Sequence, residues 1–203
     1  LKRGVDISSD DATTLLVGSV YLDQMPVFKR ALELKADING YAKRDPLKRR
    51  PILVAIECGR TAFVSAIEGA GGELNCADAN GDTSLHYAVR GGNLKLAKAL
   101  TSTCDINARN ACGETALFAA AKCNRKEMVK FLFEQFSDDA AKLAYAAILN
   151  NSKETAFRVA CISNSVLVLD VFDEVGVLCE DADLAAVASM DNVVVEQWLI
   201  NHG

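Results

Sequence analysis

The 203-residue sequence predicts an all-α solenoid, in which stacked helix-turn-helix units are joined by hairpin-like fingers. Three observations lead to this prediction. A two-helix pattern recurs every 32 to 36 residues; its first helix is rich in small residues and its second in apolar ones; and glycine or asparagine separates consecutive copies. A fixed period of this length is typical of repeat arrays, in which each unit packs on its neighbours.

The clearest copy of the repeat covers Gly81–Asn107. Gly113–Phe136 repeats its threonine, leucine and alanine 32 positions later, and Arg50–Asn75 and Thr14–Asn39 carry weaker copies. The first four units are therefore read directly from the spacing.

Each unit has the signals of two short helices. The hydroxyl of Thr83 can cap the first helix, TSLHYAV. Apolar residues such as Leu94 and Leu100 follow helical spacing in the second. The Asn80-Gly81 dipeptide indicates a tight turn between units, and we expect a finger there.

The last third of the chain departs from this period. Ala120 and Ala160 are 40 residues apart, whereas Ala160 and Ala188 are 28 apart, so together they span two periods of 34. We infer two further units and a helical insertion at about 138–149. The chain is thus predicted to be a single domain, 1–203, with units at about 8–39, 40–76, 77–108, 109–137, 150–180 and 181–203.

Both termini look like parts of further units. Leu1–Ile7 is similar to the end of a second helix with its following loop, and Trp198–Gly203 breaks off where another finger would begin. We therefore expect the chain to be a segment of a longer protein.

The repeat resembles the ankyrin repeat. TSLHYA at Thr83–Ala88 is similar to the family's Thr-Pro-Leu-His-x-Ala, with Ser84 in place of proline. The fourth unit follows the pattern with Phe118 at the histidine position, and the first two units are degenerate. The resemblance implies a non-catalytic scaffold that binds a peptide or protein domain on its concave face. The alternative is a regulatory or targeting module of a larger enzyme, channel or effector.

His86 is one of only two histidines, and it raises the question of catalysis. The resemblance implies a framework role, since the threonine and histidine of this motif hydrogen-bond within the loop framework. No nucleophile or metal-ligand pattern lies at useful spacing, and His202 is 116 positions away. We predict no enzyme activity, no cofactor and no metal.

Composition restricts the possible partners of the protein and the compartment in which it works. The net charge of −5 argues against nucleic acid as a partner, and no apolar run approaches the roughly 18 residues that a membrane span needs. The seven cysteines form no CxxC motif and are odd in number, which indicates reduced thiols. We predict a monomer in the cytoplasm, with the nucleus as the alternative.

A basic run, KRDPLKRR at Lys43–Arg50, falls in the finger between the first two units. It has three interpretations: a solvated finger tip, a docking patch for an acidic partner segment or phosphate, and a nuclear localisation signal. Charge is also uneven along the chain. Residues 1–60 carry 11 basic and 8 acidic side chains, whereas residues 134–183 carry 3 and 10. This asymmetry could steer a partner or reflect drift.

The resemblance places a set of variable residues on the concave face. Tyr87 beside Arg90 is the expected anchor of binding, because tyrosine and arginine are common in binding hot spots. The full set of predicted contact residues is Arg44, Lys48, Arg49, Val54, Glu57, Asn80, Asp82, Tyr87, Arg90, Cys112, Glu114 and Lys122.

Overall fold

The computed structural model describes residues 8–188 and 192–202. These residues form thirteen α-helices and no strand, with one isolated antiparallel bridge between Ala77 and Thr83 in a finger. The all-α repeat solenoid predicted from the sequence is confirmed. The segment Leu1–Ile7, in which we expected the end of a preceding unit, lies outside the described residues.

Twelve of the described helices form six consecutive pairs, and one helix is inserted between the fourth and fifth pairs. In chain order the helices are α1 Ser9–Tyr21, α2 Met25–Glu33, α3 Pro51–Glu57, α4 Thr61–Gly69, α5 Ser84–Gly91, α6 Leu94–Leu100, α7 Ala116–Lys122, α8 Lys126–Phe133, α9 Asp139–Ala146, α10 Ala156–Ile162, α11 Val166–Val175, α12 Asp181–Ala188 and α13 Val193–His202.

The first helices of the pairs stack on one another and form the inner layer. The order of this layer is α1, α3, α5, α7, α10 and α12, and the second helices pack outside it. Small side chains allow the close approach: in α7, ALFAAAK, every residue from Ala116 to Ala121 is buried. The core is therefore one continuous row of stacked units.

Local sequence signals set the ends of these helices. The Thr83 hydroxyl accepts a hydrogen bond from the backbone N–H of His86 at the start of α5. Gly92 ends α5 with a left-handed backbone, φ 75°. Proline stands in the first turn of α2 and of α3, where its missing N–H costs nothing.

Aromatic side chains connect the last three units. Phe172 of α11 packs edge-on against Phe133 of α8 and Phe157 of α10, with ring centroids 5.7 Å apart in both pairs. Phe157 also contacts Trp198 of α13, whose Nε1 donates to Asp170 Oδ1 at 2.9 Å. Because Phe172 is fully buried, this cluster couples the fourth, fifth and sixth units.

The inserted helix α9 packs on the outer part of the fourth unit. The buried ring of Tyr145 lies 4.8 Å from Phe136 and 6.4 Å from Phe133, and its hydroxyl donates to the carbonyl of Ile106. The extra residues therefore pack against the array without separating the fourth and fifth units.

Residues 176–180, which the structure describes and which precede the sixth unit, form no finger. Helix α11 ends at Val175 and α12 begins at Asp181, so the connection between them is short. Arg158 of α10 donates from Nε to the buried carboxylate of Asp183 at 2.7 Å, which fixes α12 against the inner layer. Among the described residues, no helix is long and apolar enough to cross a membrane.

Candidate functional site

The fingers share one local design. In each of four fingers an Asp or Asn side chain accepts hydrogen bonds from the backbone N–H groups two and four residues later, at 2.8 to 3.1 Å. Short polar side chains stabilise turns in this way. The acceptor residues are Asp45, Asp78, Asn110 and Asn150.

Adjacent fingers are joined backbone to backbone. The donor and acceptor pairs are Ala79 N–H to Leu47 O at 2.7 Å, Ala111 N–H to Asn80 O at 2.7 Å, and Asn151 N–H to Cys112 O at 2.9 Å. Gly81 sits at this contact with φ 77°, and a Cβ there would lie 3.2 Å from the Asn110 Cα. A side chain at Gly81 would therefore disturb both its own turn and the next finger.

His86 belongs to this framework. It is 1% exposed, and its Nδ1 accepts a hydrogen bond from the backbone N–H of Thr83 at 3.2 Å. Its Nε2 lies 3.0 Å from the carbonyl oxygen of Glu114 in the next finger, to which it can donate. Burial lowers the pKa of His86 and favours the neutral ring, although the Glu114 carbonyl and the nearby Asp82 oppose this. The ring thus ties the third unit to the fourth.

The neutral state of His86 predicts a pH dependence of stability. Folding lowers the pKa of His86. Its contribution to the stability of the fold is therefore fully present above the ordinary pKa near 6.5, and it is lost as the pH falls towards the pKa of the folded state. We expect the free energy of unfolding to fall from pH 7 to pH 5, at up to about 1.4 kcal/mol per pH unit from this group. Urea denaturation across this range, compared with His86→Gln, measures it; an equal slope in the variant contradicts the prediction.

An ion pair connects the finger to the inner helix in three successive units. In each, the two charged residues are eight positions apart, and the finger residue lies four positions after the Asp or Asn of the turn. The pairs are Arg49–Glu57 at 2.7 Å, Asp82–Arg90, and Glu114–Lys122 at 2.6 Å. The second unit therefore carries the opposite polarity to the third and fourth.

Asp82 and Arg90 are the centre of the predicted face. Burial opposes ionisation of Asp82, but hydrogen bonds from Arg90 and from Asn110 outweigh it and hold its pKa below the usual value. The Arg90 side chain stays 40% exposed and its guanidinium lies over the ring of Tyr87, 5.2 Å from the centroid. Asp82 and Tyr87 thus hold the Arg90 side chain in place while its guanidinium stays accessible to a partner.

Two predicted contact residues are wrong. Tyr87 is 2% exposed, and its hydroxyl donates to Asp78 Oδ2 at 2.9 Å, so it is part of the core rather than an anchor for a partner. Burial, reinforced by Asp78, raises the pKa of this phenol. Val54 is fully buried between stacked inner helices. The resemblance placed both residues on the concave face, but both side chains are packed into the core.

The basic run makes ion pairs within the protein. Lys43 pairs with Asp10 at 2.6 Å, and Arg50 pairs with Glu73. Arg49 binds Asp45 and Glu57, and is mostly buried. The remaining cations, Arg44 and Lys48, are exposed and have no carboxylate of the described residues within ion-pair distance. Only two of the five cations in the second finger are therefore without an ion pair to a described residue and open to a partner.

The structure brings six predicted contact residues together in one groove of about 340 Å³ between the third and fourth units: Asn80, Asp82, Arg90, Cys112, Glu114 and Lys122. Arg44, Lys48, Arg49 and Glu57 of the second unit are not part of it. Asn110 also lines the groove and was missed by sequence reasoning. Its position four residues before Glu114, as Asp78 precedes Asp82, was the available signal.

A second groove, of about 440 Å³, lies between the fourth and fifth units. Cys112, Glu114 and Lys122 form one side of it. Asn150 and Glu154 of the fifth finger, with Val159 and Ile162 of α10, contribute to its lining, and sequence reasoning missed all four.

The seven cysteines are free thiols. Burial raises the pKa of Cys76, Cys104 and Cys161, the last to about 12, so these thiols remain protonated at neutral pH. They serve as small apolar packing residues.

Stacked helix pairs, a hydrogen-bonded row of fingers and grooves lined by polar residues define a helical-repeat solenoid. A family model described as ankyrin repeats in three copies matches residues 16–110 and 102–180. The chain belongs to the ankyrin repeat family. Ankyrin repeats are generally protein-interaction modules.

Three relatives illustrate the range of proteins that share these repeats. The protein VAPYRIN-LIKE of Medicago truncatula is 31% identical over 60% of this chain and 25% of its own length. Alpha-latroinsectotoxin-Lt1a of Latrodectus tredecimguttatus is 34% identical over 59% of this chain and 8% of its own length. Ankyrin repeat domain-containing protein 37 of Homo sapiens is 33% identical over 51% of this chain and 65% of its own length. Each match covers less than two thirds of the relative.

Proposed function

We propose that the chain is a non-catalytic scaffold that binds a peptide or protein domain along its concave face. One observation carries the proposal: the finger row and inner helices hold six of the predicted contact residues, five of them polar, around a single groove between the third and fourth units. The framework residues beneath them are buried and hydrogen-bonded, so the groove is preformed, and preformed surfaces lose little entropy on binding.

The hydrogen bonds of His86 support a non-catalytic role. A general base needs a ring nitrogen that is free to take a proton from a substrate. In His86, Nδ1 faces Thr83 and Nε2 faces the Glu114 carbonyl, and the side chain is buried. Both ring nitrogens of His86, the main candidate for catalysis, are thus engaged by hydrogen bonds within the repeat framework.

The charges suggest how a partner is oriented. Arg44 and Lys48 remain available at the second finger and would contact an acidic segment of the partner. Residues 134–183, with 10 acidic and 3 basic side chains, would favour a basic segment at the other end. The seven free thiols favour a reducing compartment such as the cytoplasm. We propose that the chain acts there as a monomer.

A charge swap within one ion pair tests the proposed surface. Glu114→Lys combined with Lys122→Glu keeps the finger-to-helix pair but reverses its polarity, as in the natural Arg49–Glu57 pair. We expect the melting temperature to change by only a few degrees while affinity for a partner falls at least about tenfold, because contact charges become repulsive. Affinity capture from an extract of the source cells, followed by mass spectrometry, identifies the partner for this measurement.

The matched control reverses an ion pair on the outer layer. Lys130 of α8 and Glu174 of α11 lie 3.4 Å apart, and Lys130→Glu with Glu174→Lys makes the same change of charge there. We expect this control to bind the partner like the wild type. Equal binding by the concave and outer swaps contradicts the proposal.

A further inference from the structure

In the third and fourth units, a carboxylate of the finger is paired with a cation of the same unit. The finger carboxylate, Asp82 or Glu114, faces the cation eight residues later, Arg90 or Lys122. These pairs lie across the concave surface, half exposed on the cation side. We call the position eight residues after the finger charge the cation position.

The fifth unit keeps the carboxylate but lacks the cation. Its finger has the same turn, since Asn150 Oδ1 accepts from the backbone N–H groups of Ser152 and Glu154 at 2.9 and 3.0 Å. Glu154 therefore corresponds to Glu114. The cation position is Ile162, which carries no charge.

The carboxylate of Glu154 is left with free hydrogen-bonding capacity. Its described side-chain partner is the Asn150 amide, with Nδ2 donating to Oε2 at 3.0 Å. No Lys or Arg of residues 8–188 or 192–202 lies within ion-pair distance of it. A carboxylate offers about four acceptor positions, so Glu154, which lines the groove, has acceptor positions available for a partner.

The surroundings of Glu154 suit a long basic side chain. The buried Val159 and half-buried Ile162 line the groove beside it and can contact an alkyl stem. Lys122 also lines this groove, but its ammonium is held by Glu114 at 2.6 Å. With that pair neutral, Glu154 leaves the groove with a net negative charge.

We propose that the groove between the fourth and fifth units binds an arginine or lysine side chain of the partner protein, which supplies the cation that Ile162 does not. This proposal rests on the proposed function, since it assigns the chemistry of one position on the same concave face. Arginine fits better than lysine, because its planar guanidinium can bind a carboxylate through two parallel hydrogen bonds.

A random twelve-residue peptide library, displayed on phage and selected on the chain, tests the proposal. We expect the peptides that bind the concave face to share an arginine or lysine. Affinity of the best peptide is then measured by fluorescence anisotropy. Glu154→Gln should weaken binding at least about tenfold, which corresponds to about 1.4 kcal/mol. Replacing the basic residue of the peptide by alanine should have a similar effect on the wild type and little further effect on Glu154→Gln.

A second variant adds the missing cation within the chain. Ile162→Lys recreates the arrangement of Glu114 and Lys122. The new lysine ammonium should pair with the Glu154 carboxylate and exclude the basic side chain of the peptide. Glu134→Gln is the matched control for Glu154→Gln, because it removes the same charge from an exposed position at the end of α8. We expect at least about tenfold weaker peptide binding by Ile162→Lys and unchanged binding by Glu134→Gln.

The outcomes separate this proposal from the proposed function. Peptides that respond to the Glu114–Lys122 swap but not to Glu154→Gln or Ile162→Lys overturn the basic-side-chain proposal and leave the concave-face scaffold in place. If no selected peptide responds to any of these concave-face variants, both proposals fail.

Discussion

Replacing Phe172 with alanine is expected to destabilise the protein by about 3 to 5 kcal/mol, because it empties a fully buried aromatic position. The ring contacts Phe133 of the fourth unit and Phe157 of the fifth, so the cavity lies where two units meet. In a repeat array stability is a sum of units and of interfaces between neighbours. The fifth and sixth units should therefore open before the rest.

Urea denaturation and amide hydrogen exchange measure the two parts of this prediction. Leu167→Ala is the control, since Leu167 lies on the same helix with 54% of its surface exposed and should cost less than about 0.5 kcal/mol. In Phe172→Ala, amides of α10 to α13 should exchange faster than those of α3 to α6. Uniform acceleration along the array contradicts the interface explanation.

Replacing Asp78 with alanine is expected to cost about 2 to 4 kcal/mol, because one side chain holds three hydrogen bonds. Its Oδ1 accepts from the N–H groups of Asn80 and Asp82, and its Oδ2 accepts from the buried Tyr87 hydroxyl. Without the carboxylate, these donors lose their partner at the turn that carries the third finger. Thermal and urea denaturation measure the loss.

The chain itself supplies the control for Asp78. Asn110 and Asn150 occupy the equivalent position in the next two fingers and accept the same pair of backbone hydrogen bonds. Asp78→Asn should therefore cost less than Asp78→Ala, since it keeps an acceptor oxygen for the two backbone N–H groups and loses only the acceptor for the Tyr87 hydroxyl. If asparagine is as damaging as alanine, the two backbone hydrogen bonds at Oδ1 do not stabilise the finger.

The fold could be predicted from the sequence because its signals are local and repeated. Thr83 caps a helix within three residues, Gly81 allows a turn within two, and both recur one period later at Thr115 and Gly113. The match of Thr83–Ala88 to the family's motif also identified His86 as framework, and Phe118 takes the same position in the next unit without any acid–base group.

The surface was harder to predict, because exposure depends on contacts beyond the helix itself, both within a unit and with the units stacked on it. Tyr87 corresponds to a concave-face position of the family, yet its hydroxyl binds Asp78, nine residues earlier, and its ring lies beneath Arg90. Val54 is covered by the helices stacked on either side of α3. Both residues were placed on the concave face by the resemblance, which does not show which side chains the packing of this chain covers.

Glu154 was missed for the opposite reason. The insertion before the fifth finger disrupted the period, so the correspondence between Glu154 and Glu114 was not visible until the turn around Asn150 was seen. An alignment of the four turn residues, instead of the helices, would have exposed it, together with the uncharged Ile162 eight positions later.

The inserted helix α9 shows where this molecule tolerates growth. The spacing between turn residues rises from 32, Asp78 to Asn110, to 40, Asn110 to Asn150, yet Asn151 still donates to the Cys112 carbonyl at 2.9 Å. Eight additional residues have thus been absorbed without breaking the row of fingers. The exposed junction at Ser137, just before α9, is therefore a place where a fluorescent label or an epitope could be grafted to turn the array into a biosensor.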